Sequence, residues 1–266
     1  MLTSALTIAG FDGSGGAGLQ ADLKIFSALG CYGMSVLTAL PIQNTCGVRN
    51  CFNLPLAAIE EQLDAIFSDI TPNVIKIGML FNQEIVHLVA EFLSQHAQNI
   101  PIVLDPVMVA KSGDYLLLPE AIETLKQELI PQVTLITPNI NEAQALSNMK
   151  IKTPNDMLKS AEIIHKIGGI NVLLKGGHLD GISCDDLLFT SSAQYWFKAP
   201  RIETINTHGT GCTLSAAIAA NLARGKDLVS SCQNAKDYLY QAMLSFKDVT
   251  IGHGHGPVNH FHQWWN

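Results

Sequence analysis

The segment Asn206-Thr207-His208-Gly209-Thr210-Gly211-Cys212-Thr213 joins an anion trap to a candidate proton acceptor. A Gly-Thr-Gly turn runs into Leu214–Arg224, a stretch of small residues that reads as a helix ending at Gly225. Backbone N–H groups of such a turn, together with the positive end of the helix, point at whatever lies above Cys212. Glycine at 209 and 211 keeps Cβ atoms out of the way of an approaching phosphate, while Thr210 adds a backbone N–H between them. A free thiol titrates near ~8.5 and a helix N-terminus lowers that value, so Cys212 is expected to hold a useful thiolate fraction near neutrality. A small buried residue at a helix start is the competing reading of the same cysteine. The chemistry implied is phosphoryl transfer.

Such residues need a scaffold, and the chain alternates in the way that builds one. Apolar β-type runs occur at Ala5–Ala9, Ser35–Leu40, Val74–Ile77, Ile102–Leu104, Val133–Ile136 and Val172–Leu174. Between most of them lie helical patterns at Ala17–Leu29, Ala57–Ser68, Gln83–His96, Pro119–Leu129, Asn141–Asn148 and Pro154–Gly168. Strands without polar alternation, separated by helices, predict an α/β fold whose mainly parallel sheet is covered on both faces. Asp185–Thr190 and Gln194–Lys198 then read as a small hairpin, followed by helices from Cys212 to Gly225 and from Leu228 to about Phe246. No repeat or low-complexity linker interrupts residues 1–266, so one domain is expected.

Composition agrees. The 266 residues are 47% hydrophobic and 15% charged, which predicts a sizeable core rather than disorder. A formal charge of −7 without a basic cluster argues against a nucleic-acid surface. No cationic leader and no bilayer-length apolar run are present, and none of the six cysteines forms a Cys-x-x-Cys pair. A soluble cytoplasmic enzyme with reduced thiols is the expectation.

In a parallel sheet, ligands gather at the carboxyl ends of the strands. Asp105, the group Thr137-Pro138-Asn139 with Glu142, Lys175-Gly176-Gly177-His178, and Gln43-Asn44 all follow apolar runs. So does the loop Gly10-Phe11-Asp12-Gly13-Ser14-Gly15-Gly16-Ala17-Gly18. Its Gly13-x-Gly15-x-x-Gly18 spacing fits a dinucleotide fingerprint, but the next strand ends Leu40-Pro41-Ile42-Gln43 without the carboxylate that would hold a ribose. The loop reads instead as a backbone wall, from Gly10 to Ala17, for a small flat substrate; a plain tight turn is the competing reading.

Eight blocks now carry a resemblance: Gly-Gly-Ala-Gly-Leu-Gln-Ala-Asp-Leu-Lys (15–24), Thr-Ala-Leu-x-x-Gln-Asn-Thr (38–45), Lys-Ile-Gly-Met-Leu (76–80), Asp-Pro-Val-Met (105–108), Thr-Pro-Asn-x-x-Glu (137–142), Lys-Gly-Gly-His (175–178), Asn-Thr-His-Gly-Thr-Gly-Cys-Thr (206–213) and Gly-His-Gly-His-Gly-Pro-Val-Asn-His (252–260). In this order, from Thr7 to His260, they resemble the hydroxymethylpyrimidine/phosphomethylpyrimidine kinases of thiamine biosynthesis, a branch of the ribokinase-like fold. One departure is Gly13, where relatives commonly carry a second serine; it touches loop stiffness more than chemistry.

The resemblance implies two ATP-dependent steps, from 4-amino-5-hydroxymethyl-2-methylpyrimidine to its monophosphate and then its diphosphate, in a homodimeric enzyme. It matches Cys212 to this branch, where related sugar kinases place an aspartate, and it places the pyrimidine-contacting glutamine at Gln43. A carboxamide offers a donor and an acceptor to an aminopyrimidine edge; a strand-end side chain bonding a loop is the alternative. Asp22 is expected to orient the same pocket and Met79 to supply an apolar wall, unless it is a core methionine. Asp105, Asn139 and Glu142 are the candidate Mg2+ group, although the i,i+3 pair Asn139/Glu142 would equally cap a helix. Lys175 is expected to neutralise the β/γ-phosphates of ATP. His208 and the tail histidines 253, 255, 260 and 262 lack acidic or thiolate company and read as loop or subunit contacts rather than metal ligands. A lid is expected at the Gly-rich loop or at Met108–Tyr115. A pyridoxal-type kinase and a binding protein that has lost catalysis are the other readings of these residues.

Overall fold

The computed structural model describes residues 2–109, 116–177 and 181–265. Five short, almost wholly buried strands form its centre: β1 (Thr3–Ala9), β5 (Val74–Ile77), β6 (Ile102–Leu104), β7 (Leu135–Ile136) and β8 (Asn171–Leu174). They run parallel, with β2 (Cys31–Leu37) parallel to β1 at one edge. β9 (Asp186–Phe189) and β10 (Gln194–Phe197) complete the order β10-β9-β8-β7-β6-β5-β1-β2. The expected hairpin is therefore present, but it widens the main sheet, because β9 pairs antiparallel with β8.

The period-two alternation of the strands divides the core. Leu6, Ile8, Ile75, Ile77, Ile102 and Leu104 face one way, toward α2 (Leu56–Phe67), α3 (Gln83–His96), α5 (Ile140–Ser147) and α6 (Pro154–Gly168). Ala5, Val74, Val103, Leu135 and Leu173 face the other way, toward α1 (Gly18–Ala28), α7 (Thr210–Ala223) and α8 (Leu228–Ser245). Helix α7 is buried nearly all round, and Ala216, Ala217, Ala219 and Ala220 let it press onto the sheet. Its N-terminus consequently lies at the carboxyl ends of the central strands.

Two expectations change. The run Ser35–Leu40 is not one strand: β2 stops at Leu37, and β3 (Ala39–Asn44) leaves to pair antiparallel with β4 (Gly47–Asn53) as a separate two-stranded sheet. Buried Thr38 fixes the break, its N–H donating to Ala9 O at 3.1 Å and its hydroxyl to Met79 O at 2.6 Å. The helix expected at Pro119–Leu129 is a single α turn, α4 (Ala121–Thr124), continued by a π segment (Leu125–Leu129) and a 3-10 turn (Ile130–Gln132). Pro131 lacks the N–H that another α turn would need.

Candidate active site

The N-terminus of α7 is open. Gly209 caps it in the left-handed region, at φ +77°, and no side chain accepts from the first N–H groups of the helix. Gly209 also packs on Gly16, whose carbonyl oxygen would lie 1.8 Å from a Cβ at 209. A Cβ at Gly211 would lie 3.1 Å from Asp105 Oδ2 and 3.4 Å from Lys175 Nζ, so the turn abuts these two charges directly. Cys212 follows, near enough to the Gly18 N–H for that group to favour the thiolate. The expected lowering of its pKa is not found: burial pushes the thiol up to about 11, although the Lys76 ammonium opposes this. Desolvation outweighs the helix end although Cys212 lines the cleft and is only half-buried, because the carboxylates Asp22 and Asp105 also oppose its thiolate.

Asp105, at the end of β6, accepts from Lys175 Nζ at 2.8 Å and from the Thr137 hydroxyl at 3.2 Å through Oδ1. Lys175 Nζ also stands 4.0 Å from Glu142 Oε2. Burial opposes the Lys175 charge, but Asp105 and Glu142 raise its pKa and hold it cationic. Burial pushes the Glu142 carboxyl up to about 7 against the pull of Lys175. Asn139 and Glu142 form a reciprocal capping box on α5: Asn139 Oδ1 accepts the Glu142 N–H at 3.0 Å and Glu142 Oε2 accepts the Asn139 N–H at 2.7 Å. The capping alternative is thus the arrangement found for Asn139, which holds Glu142 in place and leaves Asp105 and Glu142 as carboxylate donors. Among the described residues no group of three or more His, Cys, Asp or Glu could hold a metal ion by itself. Two buried carboxylates fit Mg2+ that keeps water and rides on nucleotide phosphates, the way this ion is usually bound.

Gly10, Ala17, Gln43 and Met79 line the opposite wall of the same cleft, whose volume is about 600 Å³. Gly10 makes room for Met79, whose sulfur would lie 2.8 Å from a Cβ at that position. Gln43, on β3, donates from Nε2 to Phe11 O at 3.0 Å, which holds the carboxamide at the rim and leaves its oxygen free of that bond. Asp22 does not line the cleft. It is fully buried on α1, bonded to the Thr7 hydroxyl at 2.6 Å and to Lys76 Nζ at 2.8 Å, so it acts on the pocket through Lys76 and through its charge, which raises the Cys212 pKa.

Lys76 is the residue that sequence reasoning missed. Strand alternation in β5 turns Val74 and Lys76 to the α1/α7 side, beneath Cys212. Burial opposes its charge, but Asp22, Cys212 and Asp105 raise its pKa and keep it an ammonium. A lone lysine in an otherwise apolar four-residue strand was the signal. The far end of the cleft was also unread: Lys236, Leu239, Tyr240 and Met243 present one face of α8 there at i, i+3, i+4, i+7 spacing.

His208 is a loop contact, but the expectation that it lacks acidic company is overturned by Asp12. Its Nε2 lies 2.8 Å from Asp12 Oδ2, while Asp12 also accepts the N–H groups of Ser14, Gly16 and Ala17 at 3.0, 3.0 and 2.7 Å. Despite burial, the bonds from His208 and Ser14 hold the Asp12 carboxyl down at about 2. The candidate lid Lys111-Ser112-Gly113-Asp114 and His178 lie outside the described residues.

Fold and site together define a small-molecule kinase: an open helix N-terminus, paired cations and carboxylates, and an apolar wall share one cleft. A family model described as phosphomethylpyrimidine kinase matches residues 12–259. The chain is 51% identical over 264 residues to a hydroxymethylpyrimidine/phosphomethylpyrimidine kinase of Salmonella typhimurium, covering 98% of each protein. It is similar to the phosphomethylpyrimidine kinase structure from Clostridium difficile, with TM-score 0.80 and 44% identity over 91% of this chain and 99% of that one. It is also similar to the Staphylococcus aureus pyridoxal kinase in complex with AMP-PCP and pyridoxal, with TM-score 0.90 and 35% identity over 99% of this chain and 95% of that one. The chain belongs to the phosphomethylpyrimidine kinase family and has its ribokinase-like fold.

Proposed function

We propose that this kinase phosphorylates 4-amino-5-hydroxymethyl-2-methylpyrimidine and then its monophosphate, consuming one ATP at each step on the way to thiamine diphosphate. The observation that carries the reading is the seating of the open α7 turn against Lys175 and Asp105 on one side, with Gln43 and Met79 across the same cleft. The turn N–H groups of Gly209 and Gly211, with that of Thr210 once it leaves its long 3.4 Å bond to Thr207 O, receive the transferring phosphoryl group, and Lys175 offsets its charge. Cys212 accepts the proton of the hydroxymethyl group. Asp105 and Glu142 would hold Mg2+, which when bound would neutralise charge on the nucleotide phosphates. Gln43 reads the aminopyrimidine edge, while Gly10, Ala17 and Met79 pack on the ring.

The second step needs more positive charge than the first, because its acceptor is a phosphate monoester rather than an alcohol. Lys76 and Lys175 both line the cleft as cations for that acceptor, each partly offset by its carboxylate partner, Asp22 and Asp105. Phosphorus NMR of a reaction with excess Mg·ATP tests the sequence. The monophosphate resonance should appear first and give way to a diphosphate, with two ADP formed per pyrimidine. Arrest at the monophosphate would contradict the two-step reading.

A second reading, a pyridoxal kinase, is favoured by the TM-score of 0.90 to the Staphylococcus aureus enzyme. Turnover of pyridoxal in preference to the pyrimidine would establish it. The same proposal makes the chain a single-domain cytoplasmic enzyme, from its unbroken α/β alternation and unpaired cysteines, and a homodimer, from the family resemblance. No helix among the described residues is long and apolar enough to cross a membrane. Sedimentation at two chains per particle is the expected result, and a monomer would remove the dimer.

A further inference from the structure

Residues 12 and 208 are separated by 196 positions, yet they meet inside the protein. Asp12 is wholly buried and collects the N–H groups that shape the first loop. A carboxylate held ionised accepts only, so the His208 nitrogen facing it carries a proton and donates. The His208 ring lies on Gly16, where a Cβ would come within 2.4 Å of Cδ2. Immediately after His208, the Gly209 backbone stacks on the Gly16 carbonyl. The first loop and the anion-binding turn are therefore in backbone contact, clamped by one charged hydrogen bond.

A third and a fourth segment join the clamp. The His208 N–H donates to Gly256 O at 3.0 Å, which ties the anion turn to the Gly-His-Gly-His-Gly loop. That loop in turn grips the tip of the β3–β4 hairpin: the His255 N–H donates to Thr45 O at 2.8 Å and the Gly254 N–H to the Thr45 hydroxyl at 3.3 Å. Thr45 lies two residues beyond Gln43. Only glycine fits at 254, because a Cβ there would lie 2.0 Å from Thr45 O.

We infer that His208 is a positioning residue: its imidazole, through Asp12, holds the anion turn against the substrate wall, while its backbone N–H, bonded to Gly256 O, joins both to the loop that grips the Gln43 hairpin. Its ring lines the same cleft beside the anion turn, and its one side-chain bond is to Asp12. The histidine-rich tail loop is then a strap between the anion turn and the tip of the β3–β4 hairpin. This inference rests on the kinase reading given above.

Steady-state and single-turnover kinetics of His208→Ala, His208→Asn and His208→Gln test it, with wild type assayed in parallel. Glutamine places its amide nitrogen near the position of Nε2 and can still donate to Asp12, whereas asparagine is too short. Misplacing reacting groups by an ångström costs about a hundredfold in rate. Alanine and asparagine should therefore lower kcat about a hundredfold with KM for ATP changed less than about threefold. Glutamine should return kcat to within about fivefold of wild type. If the alanine variant does not fold, the asparagine–glutamine contrast decides. Equal impairment of glutamine and asparagine, kcat within about threefold of wild type in the asparagine variant, or a loss confined to KM would overturn the inference. Failure of wild type itself to phosphorylate the pyrimidine would instead remove the kinase reading.

Discussion

Replacing Cys212 with serine separates the proton acceptor from the anion turn that carries it. The thiol titrates at about 11. At pH 8 about one molecule in a thousand then holds the thiolate, and reaching it costs roughly 4 kcal/mol. Between pH 7.5 and 9.5, above the Glu142 titration at about 7, the thiolate population climbs about tenfold per pH unit. Single-turnover phosphorylation of hydroxymethylpyrimidine, measured by rapid quench, should follow that slope in the wild type. Serine keeps the shape and the backbone N–H groups but removes the base, a change worth about 10²–10⁴ in rate. The variant should be slower by at least about a hundredfold, flat with pH, and little changed in KM for ATP. A serine variant within about threefold of wild type across this range would refute a proton-accepting role for Cys212. A flat wild-type profile beside a dead serine variant would leave the role and refute the raised pKa.

Two further outcomes follow from buried charges. Lys76→Met strands Asp22 at a site with no solvent access and should cost about 3–5 kcal/mol in urea unfolding, while Lys76→Met with Asp22→Asn should recover most of it; no recovery would mean the pair is not coupled. His260 is held down from 6.5 to about 4, first by burial and then by the Lys24 charge. A depressed folded pKa gives stability that is present above pH 6.5 and lost as pH falls through about 4, here up to roughly 3 kcal/mol. His260→Gln should flatten the fall in Tm across that window, which lies above the Asp12 titration at about 2; an unchanged slope would contradict the assignment.

What the sequence made legible is what strand direction controls. Asp105, Glu142 and Lys175 follow apolar runs, and parallel pairing brings the ends of those runs to one rim, so all three line the cleft. The Gly209–Gly211 turn was legible because glycine spacing and the helix start are local. Other features depend on contacts between distant segments. Nothing near Asp12 announces His208, and nothing near Asp22 announces Lys76, because only the folded sheet brings each pair together. The β4 strand escaped notice because it is largely exposed and has no buried face to impose alternation. The Cys212 pKa was misread for a related reason: a helix end is visible in sequence, whereas the depth of its surroundings is not.

The most direct test of the whole account is a coupled assay with Mg·ATP that offers hydroxymethylpyrimidine, its monophosphate and pyridoxine in parallel. Turnover of both pyrimidines, with pyridoxine distinctly poorer in kcat/KM, is the predicted result. Preference for pyridoxine, or indifference to the monophosphate, would contradict it and make Gln43 a contact to some other ring.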